Sequence, residues 1–104
     1  MVVSHTWNIV SLEYTDADGF ARAVNQINWV CVSDDGAGHT WYNDSPPKRL
    51  DAPDPNNFTP FDTLTEATVI AWLGVDFIAE QEAINSAAIQ KLIDAEAAGV
   101  GVPW

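Results

Sequence analysis

TPFDTLTEATVIAWLG, residues 59–74, is where the chain changes its period. Upstream of it, apolar residues come in short runs broken by turns. Downstream they recur at helical spacing as far as residue 98. Thr65 stands immediately before Glu66, with Leu64 ahead of it and Val69 in the first turn beyond, which is the pattern of an N-cap flanked by a hydrophobic staple. Thr63 with Glu66 offers an alternative capping box, so the start is fixed to within about two residues. Gly74 ends this helix after Leu73. With Val69, Ile70, Trp72 and Leu73 the helix is apolar on several sides, as suits one wedged between a sheet and a further element.

Asp76 predicts the cap of a second helix over residues 77–98, with Gly99 as its stop. On a wheel of 3.6 residues per turn, Phe77, Ile78, Ile84, Ala88, Ile89, Leu92 and Ile93 share about half the circumference, and Glu80, Ser86, Gln90, Lys91 and Asp94 take the other half. Such a helix is about 33 Å long. A small sheet covers that length poorly, so the distal turns are expected to meet another molecule through Ile89, Leu92 and Ile93. Trp104, closing the tail 100–104, is expected to dock on its own domain or insert into a partner, and it joins those three as a candidate contact.

Upstream, residues 7–14 (WNIVSLEY) make a strand with imperfect alternation: Val10, Leu12 and Tyr14 share one face, Trp7 and Ile9 the other. A bulge, or a strand covered on both sides near its start, accounts for that. TDADG at 15–19 is a turn, with Asp18-Gly19 as the hairpin signal. Residues 20–33 form the longest strand, with Ile27 and Trp29 on the core face and Val24 near them across an irregularity. DDGAG at 34–38 turns again, TWYN at 40–43 is a short third strand, and 48–50 is an optional fourth at an edge. DAPDPNNFTP at 51–60 is a loop by its prolines, with Phe58 and Phe61 pinning its end to the core. The expected fold is α+β: an N-terminal three-stranded antiparallel β-meander packed against a short helix and a longer C-terminal amphipathic helix. All of this belongs to one domain, with the meander in 1–50, a proline-rich loop in 51–63, the helices in 64–99 and a tail in 100–104.

The chain has 104 residues, with 15 acids against four bases and a net charge of −11. No basic patch is available to neutralise phosphates, so direct nucleic-acid binding is not expected. Acidity keeps a protein soluble; the sharper alternative is an acidic effector that docks on a basic host protein, even as a mimic of DNA. The apolar fraction of 47% and five tryptophans argue against disorder. No run approaches the roughly 20 apolar residues of a membrane span. The opening MVVSHTW lacks the charged and apolar segments of a signal peptide, and Cys31, the lone cysteine, reads as a buried thiol in WVCV. A soluble protein of a reducing cytoplasm is the simplest expectation.

Chemistry is sparse. His5 and His39, each followed by Thr-Trp, are the general-base candidates, and they would approach each other if the first and third strands were neighbours. A metal site of histidine with Asp34 or Asp35 lacks ligand spacing. Asp16-Ala17-Asp18-Gly19 is a turn and not an EF-hand, since glycine comes fourth and Ile27 stands twelfth. Glu80 and Glu82 read as solvated surface. No phosphate loop or nucleophile elbow is present, so neither catalytic residues nor a cofactor are expected. Trp29 and Trp72 look like core; Trp7, Trp41 and Trp104 either close that core or serve as binding anchors.

The order Thr6-Trp7-Asn8-Ile9, Asp18-Gly19, Ile27-Asn28-Trp29, Phe58-Thr59-Pro60-Phe61, then Leu64-Thr65-Glu66-Ala67 with Val69, Trp72 and a closing Pro-Trp, resembles a family of short proteins encoded by tailed bacteriophages, especially those of marine cyanobacteria. The resemblance covers most of the chain, and its motifs are structural. It implies a non-enzymatic protein of the virion or its assembly, located in the virion or the host cytoplasm. Its partners would be other virion proteins or further copies of itself.

Overall fold

The computed structural model describes residues 2–17, 19–51 and 58–98. Two strands, β1 (Ser4–Ala17) and β2 (Phe20–Asp34), form a long antiparallel hairpin. On the other side of β2 lie β3 (Thr40–Asn43) and β4 (Lys48–Arg49), one after the other along its length, both antiparallel to it. A 3₁₀ turn (Phe61–Thr63) leads into α1 (Glu66–Leu73) and then α2 (Val75–Ala98). The α+β architecture is the one expected.

Both helices lie on one face of the sheet, with α1 over β1 and α2 over β2 and β3. The core between the layers is Ile27, Trp29 and Cys31 from β2 with Val69 and Leu73 from α1. Trp7, Ile9, Leu12, Val24, Trp72, Phe77 and Ile78 close around it. Trp29 takes Trp7 at 5.0 Å in a tilted contact and Phe77 at 5.5 Å edge-on, both favoured aromatic arrangements. Its indole N–H donates to the Pro46 carbonyl at 2.9 Å, so burying it leaves no donor unmet.

Register explains the uneven alternation of β1. Ile9 pairs with Trp29 and Ser11 with Asn28, so Val10 is an extra residue, a bulge that carries it outward at 64% exposed. Beyond the bulge Leu12, opposite Ile27, falls on the same face as Trp7 and Ile9. Farther along, the extra residue is on β2: Glu13 pairs with Gln26 and Tyr14 with Val24, which skips Asn25 and brings Val24 to the core face. A third shift near the hairpin end carries Arg22 at φ 52°, a left-handed conformation uncommon for a residue with a side chain. Asp16 accepts its backbone N–H at 3.0 Å, Asp62 its guanidinium at 2.7 Å, and Phe61 lies under that guanidinium at 4.9 Å.

That outer end of the hairpin is covered by the segment before α1. Phe58 stacks on Phe20 at 4.3 Å and Phe61 meets Tyr14 at 4.8 Å. The other sheet face is polar around its middle, where Asn28 donates to Ser11 at 2.9 Å and to Glu13 at 3.2 Å and Gln26 bonds both Asn28 and Glu13, and apolar beside that, where Val30, Val32 and Tyr42 share the face.

Thr65 caps α1 as expected, its hydroxyl accepting the Thr68 N–H at 3.2 Å. Glu66 reaches back to accept the Ile9 N–H at 3.1 Å, which occupies one outward donor of the free edge of β1. The second helix differs from expectation at its start. It begins at Val75, immediately after Gly74, whose carbonyl accepts the Ile78 N–H at 3.0 Å. Gly74, at φ 89° and ψ 145°, makes the corner in a region open essentially to glycine alone, so Asp76 lies in the first turn and not at the cap. The expected stop at Gly99 and the tail with Trp104 lie outside the described residues.

Candidate functional site

The sheet order corrects one expectation about the histidines. β2 lies between β1 and β3, so the first and third strands are not neighbours; His5 bonds Ser33 of β2, whereas His39 bonds Asp35 in the β2–β3 turn and Glu96 of α2. Beneath α2 runs a buried polar line. Asn85, fully buried, donates its side-chain N–H to the Cys31 carbonyl at 3.2 Å and to the Ser33 hydroxyl at 2.9 Å. Ser33, also fully buried, then has its own proton for His5 Nδ1, 2.6 Å away. A serine on an imidazole is half of a nucleophile, but this hydroxyl has no face open to a substrate. Its hydrogen bonds tie strand to helix. Burial pushes the Cys31 thiol up, as does the Glu82 carboxylate, against weaker opposing bonds from Ser33 and Asn85; a thiol held in that form is an inert core residue. Glu82 is not the solvated surface expected of it, because it accepts the Trp7 indole N–H at 2.9 Å.

The second histidine sits at the other end of α2. His39 Nδ1 is 2.6 Å from Asp35 and Nε2 is 2.6 Å from Glu96. With a carboxylate on each nitrogen both must donate, which is the imidazolium form. Glu96 first and Asp35 second hold its pKa above the usual histidine range, outweighing burial. For Asp35, burial pushes the pKa up, but the N–H groups of Ala37 and His39 together with the imidazole outweigh it and hold the carboxyl below its ordinary value. The clamp joins the β2–β3 turn to the last turns of α2. Asp35 therefore reaches His39 as an ion-pair partner, and among the described residues no group of three or more His, Cys, Asp and Glu is placed to hold a metal ion.

The surface with binding character lies between these ends, along the flank of α2 facing away from the core. Trp41 pairs with Ser33 and so points to the helix side of the sheet, but β3 is the sheet's edge there and the indole is 39% exposed. Across from it α2 presents Ile84 (52% exposed), Ala87, Ala88, Lys91 and Leu92 (37%). Together they line an open groove of about 500 Å³. Leu92 also lines a second groove of about 480 Å³ that runs on past His39, Ala95 and Glu96. An apolar floor with Lys91 on one side and one large aromatic at its edge is a protein-docking surface in type.

Of the four residues expected to contact a partner, the structure places one in this groove, Leu92. Ile89 is a correction: at 0% exposed it belongs to the interior, because the helix turns its 81-85-89 line toward the sheet. Ile93 is half-buried beside it, and Trp104 lies outside the described residues. The residues that reading missed are Ile84, which the wheel placed on the inward face, and the polar pair Gln81 and Asn85, which are the ones buried. Gln81 accepts a hydrogen bond from Asn43 of β3 at 3.0 Å. Among the described residues Trp41, a candidate anchor by type, is the most exposed tryptophan; Trp29 is in the core, and Trp7 and Trp72 pack half-buried against it. Among the described residues no helix is long and apolar enough to cross a membrane.

Residues 2–104 match the model of a family described as a domain of unknown function, DUF7936. No curated protein and no solved structure matches the chain.

Proposed function

Since the chain belongs to that family, whose description names no activity, we propose a function from the groove itself: a non-enzymatic docking module that works through protein–protein contact along α2 and β3. Its setting, in keeping with the resemblance of its sequence motifs, is the particle of a tailed bacteriophage or the assembly of that particle, as a capsid or tail accessory. The observation that carries this reading is that Trp41, Ile84 and Leu92, at 39, 52 and 37% exposure, line one continuous groove, whereas the other exposed large apolar side chains, Val2, Val10, Tyr14, Tyr42 and Val75, lie outside it. Single exposed apolar residues are ordinary; a lined groove with a tryptophan at its lip is not. Mass spectrometry of purified particles is the test. Peptides of this chain are expected at a fixed ratio to a particle protein, or cross-linked to an assembly intermediate through the groove. Ile84→Glu, at an exposed position, is expected to abolish that association while leaving the fold intact. A chain absent from both particles and intermediates overturns the reading.

Charge favours a second reading, an acidic effector on a basic host protein. Of the four lysines and arginines, Arg22 is engaged by Asp62 and Lys48 lies over Phe77, and His39 takes Asp35 and Glu96, so among the described residues the other acids go largely unneutralised. Capture of a basic host protein at low salt, lost on adding salt, would select this reading over the first.

A further inference from the structure

We propose that the groove is closed by a second copy of this chain, its α2 lying antiparallel to the first across a two-fold axis. This rests on the docking reading and names the partner. Residues 80, 84, 87 and 91 are spaced to fall on one stripe of a helix. In this chain they read Glu80, Ile84, Ala87 and Lys91, all exposed. An acid stands at the N-terminal end of the stripe, a base at the C-terminal end, and small or apolar residues lie between. Among the described residues no ion pair engages Glu80 or Lys91.

Such a stripe complements itself only when reversed. Set antiparallel about a dyad between positions 85 and 86, Glu80 meets Lys91 of the second copy and Lys91 meets its Glu80. In the same register Ile84 falls level with Ala87 of the second copy. A parallel copy would instead set Glu80 on Glu80 and Lys91 on Lys91. Alanines at the crossing allow the helix axes to approach to about 8 Å, the near end of the packing range. The two helix dipoles are then opposed, which also favours the antiparallel sense. Trp41 and Leu92 flank the stripe on the β3 side, where the groove takes the second helix. Three helical turns with two flanking side chains make an interface at the small end of the range, so the association is expected to be roughly micromolar or weaker.

Sedimentation of the full chain over a wide concentration range tests this. A reversible monomer–dimer equilibrium is expected. At 0.15 M salt Lys91→Glu should weaken it about tenfold or more, since it removes two pairs, creates two like-charge contacts and adds to the net negative charge, and Glu80→Lys should weaken it less, since it makes the same local change while lowering that charge. The double variant E80K/K91E should restore association with itself but not mix with the unaltered chain, a result that general stickiness of the groove would not give. All four positions of the stripe are exposed, so circular dichroism should show each variant folded. A chain monomeric throughout, or a dimer indifferent to both single reversals, overturns the proposal. If self-association fails but Ile84→Glu still removes the chain from particles, the docking reading stands with a different partner. If Ile84→Glu changes neither, both fall.

Discussion

Asn85 is the side chain whose placement costs the chain most if disturbed. It is fully buried, bonds Cys31 and Ser33 through its amide N–H groups, and leaves Oδ1 without a partner among the described residues. Asn85→Ala strips the Cys31 carbonyl and the Ser33 hydroxyl of a donor and opens a small void, so urea unfolding should show a loss of about 2–4 kcal/mol. Asn85→Asp should cost more than the alanine change, because a buried carboxylate replaces the donor. His39 gives a prediction in pH. Its folded pKa is raised, so the clamp's contribution is complete below the ordinary histidine value of 6.5 and is lost as pH rises through the folded value. Asp35 is lowered, so its share is present above the ordinary carboxylate value and fades as pH falls through the folded one. Between these limits stability should be flat, then decline on the alkaline side. His39→Gln should remove the alkaline decline, which urea midpoints measured against pH would show. An NMR titration of His39 that matches a free imidazole would contradict the clamp. None of this was legible in the sequence: Asp35 and His39 lie four apart, but Glu96 is 57 residues away, and only the fold brings it in.

Elements were more legible where a local rule sufficed and less where a neighbour decided. The α1 cap at Thr65 needs only its own turn, and Thr65→Ala should cost about 1 kcal/mol in thermal or urea unfolding. Gly74 makes the corner between helices in open space, with nothing within 4 Å of an added Cβ, so Gly74→Ala isolates backbone strain and should cost about 1–3 kcal/mol. A neutral Gly74→Ala would mean the corner relaxes elsewhere. The Val10 bulge was half visible: the broken alternation signalled it, but only pairing with β2 shows that Leu12 returns to the face of Ile9. The rotation of α2 was hidden for a definite reason. A hydrophobic wheel counts apolar residues alone, yet here the sheet offers polar groups, Ser33 and Asn43, beneath the helix. Asn85 and Gln81 satisfy them, and that turns Ile84 outward. Ile89 is misplaced for another reason: a small sheet is expected to be too short to cover the distal turns, yet this one covers α2 as far as Ile89.

At the scale of the whole molecule, shape and charge together fix how salt acts on any self-association. The radius of gyration is 18.6 Å, with extents of 72 × 20 × 20 Å, against about 13 Å for a compact chain of this length. The long β1–β2 hairpin reaches past the helices, and the result is a rod. Two rods side by side along α2 place their centres about one width apart, each carrying −11. Taken as point charges at about 20 Å in water, the repulsion is of order 10 kcal/mol at 0.01 M salt and about 2 kcal/mol at 0.15 M. Spreading the charge along the rod lowers both figures without changing their order. The two Lys91–Glu80 pairs contribute together about 0.4–2 kcal/mol, and screening weakens them as well. The repulsion lost on adding salt is therefore larger than the attraction lost. Self-association along α2 should tighten between 0.01 and 0.15 M salt and then level off, as sedimentation at a fixed concentration would show. Docking on a basic partner has the opposite sign, since there salt screens attraction alone. One salt series on the chain by itself, and one with a partner present, separates the two modes of contact that this surface supports.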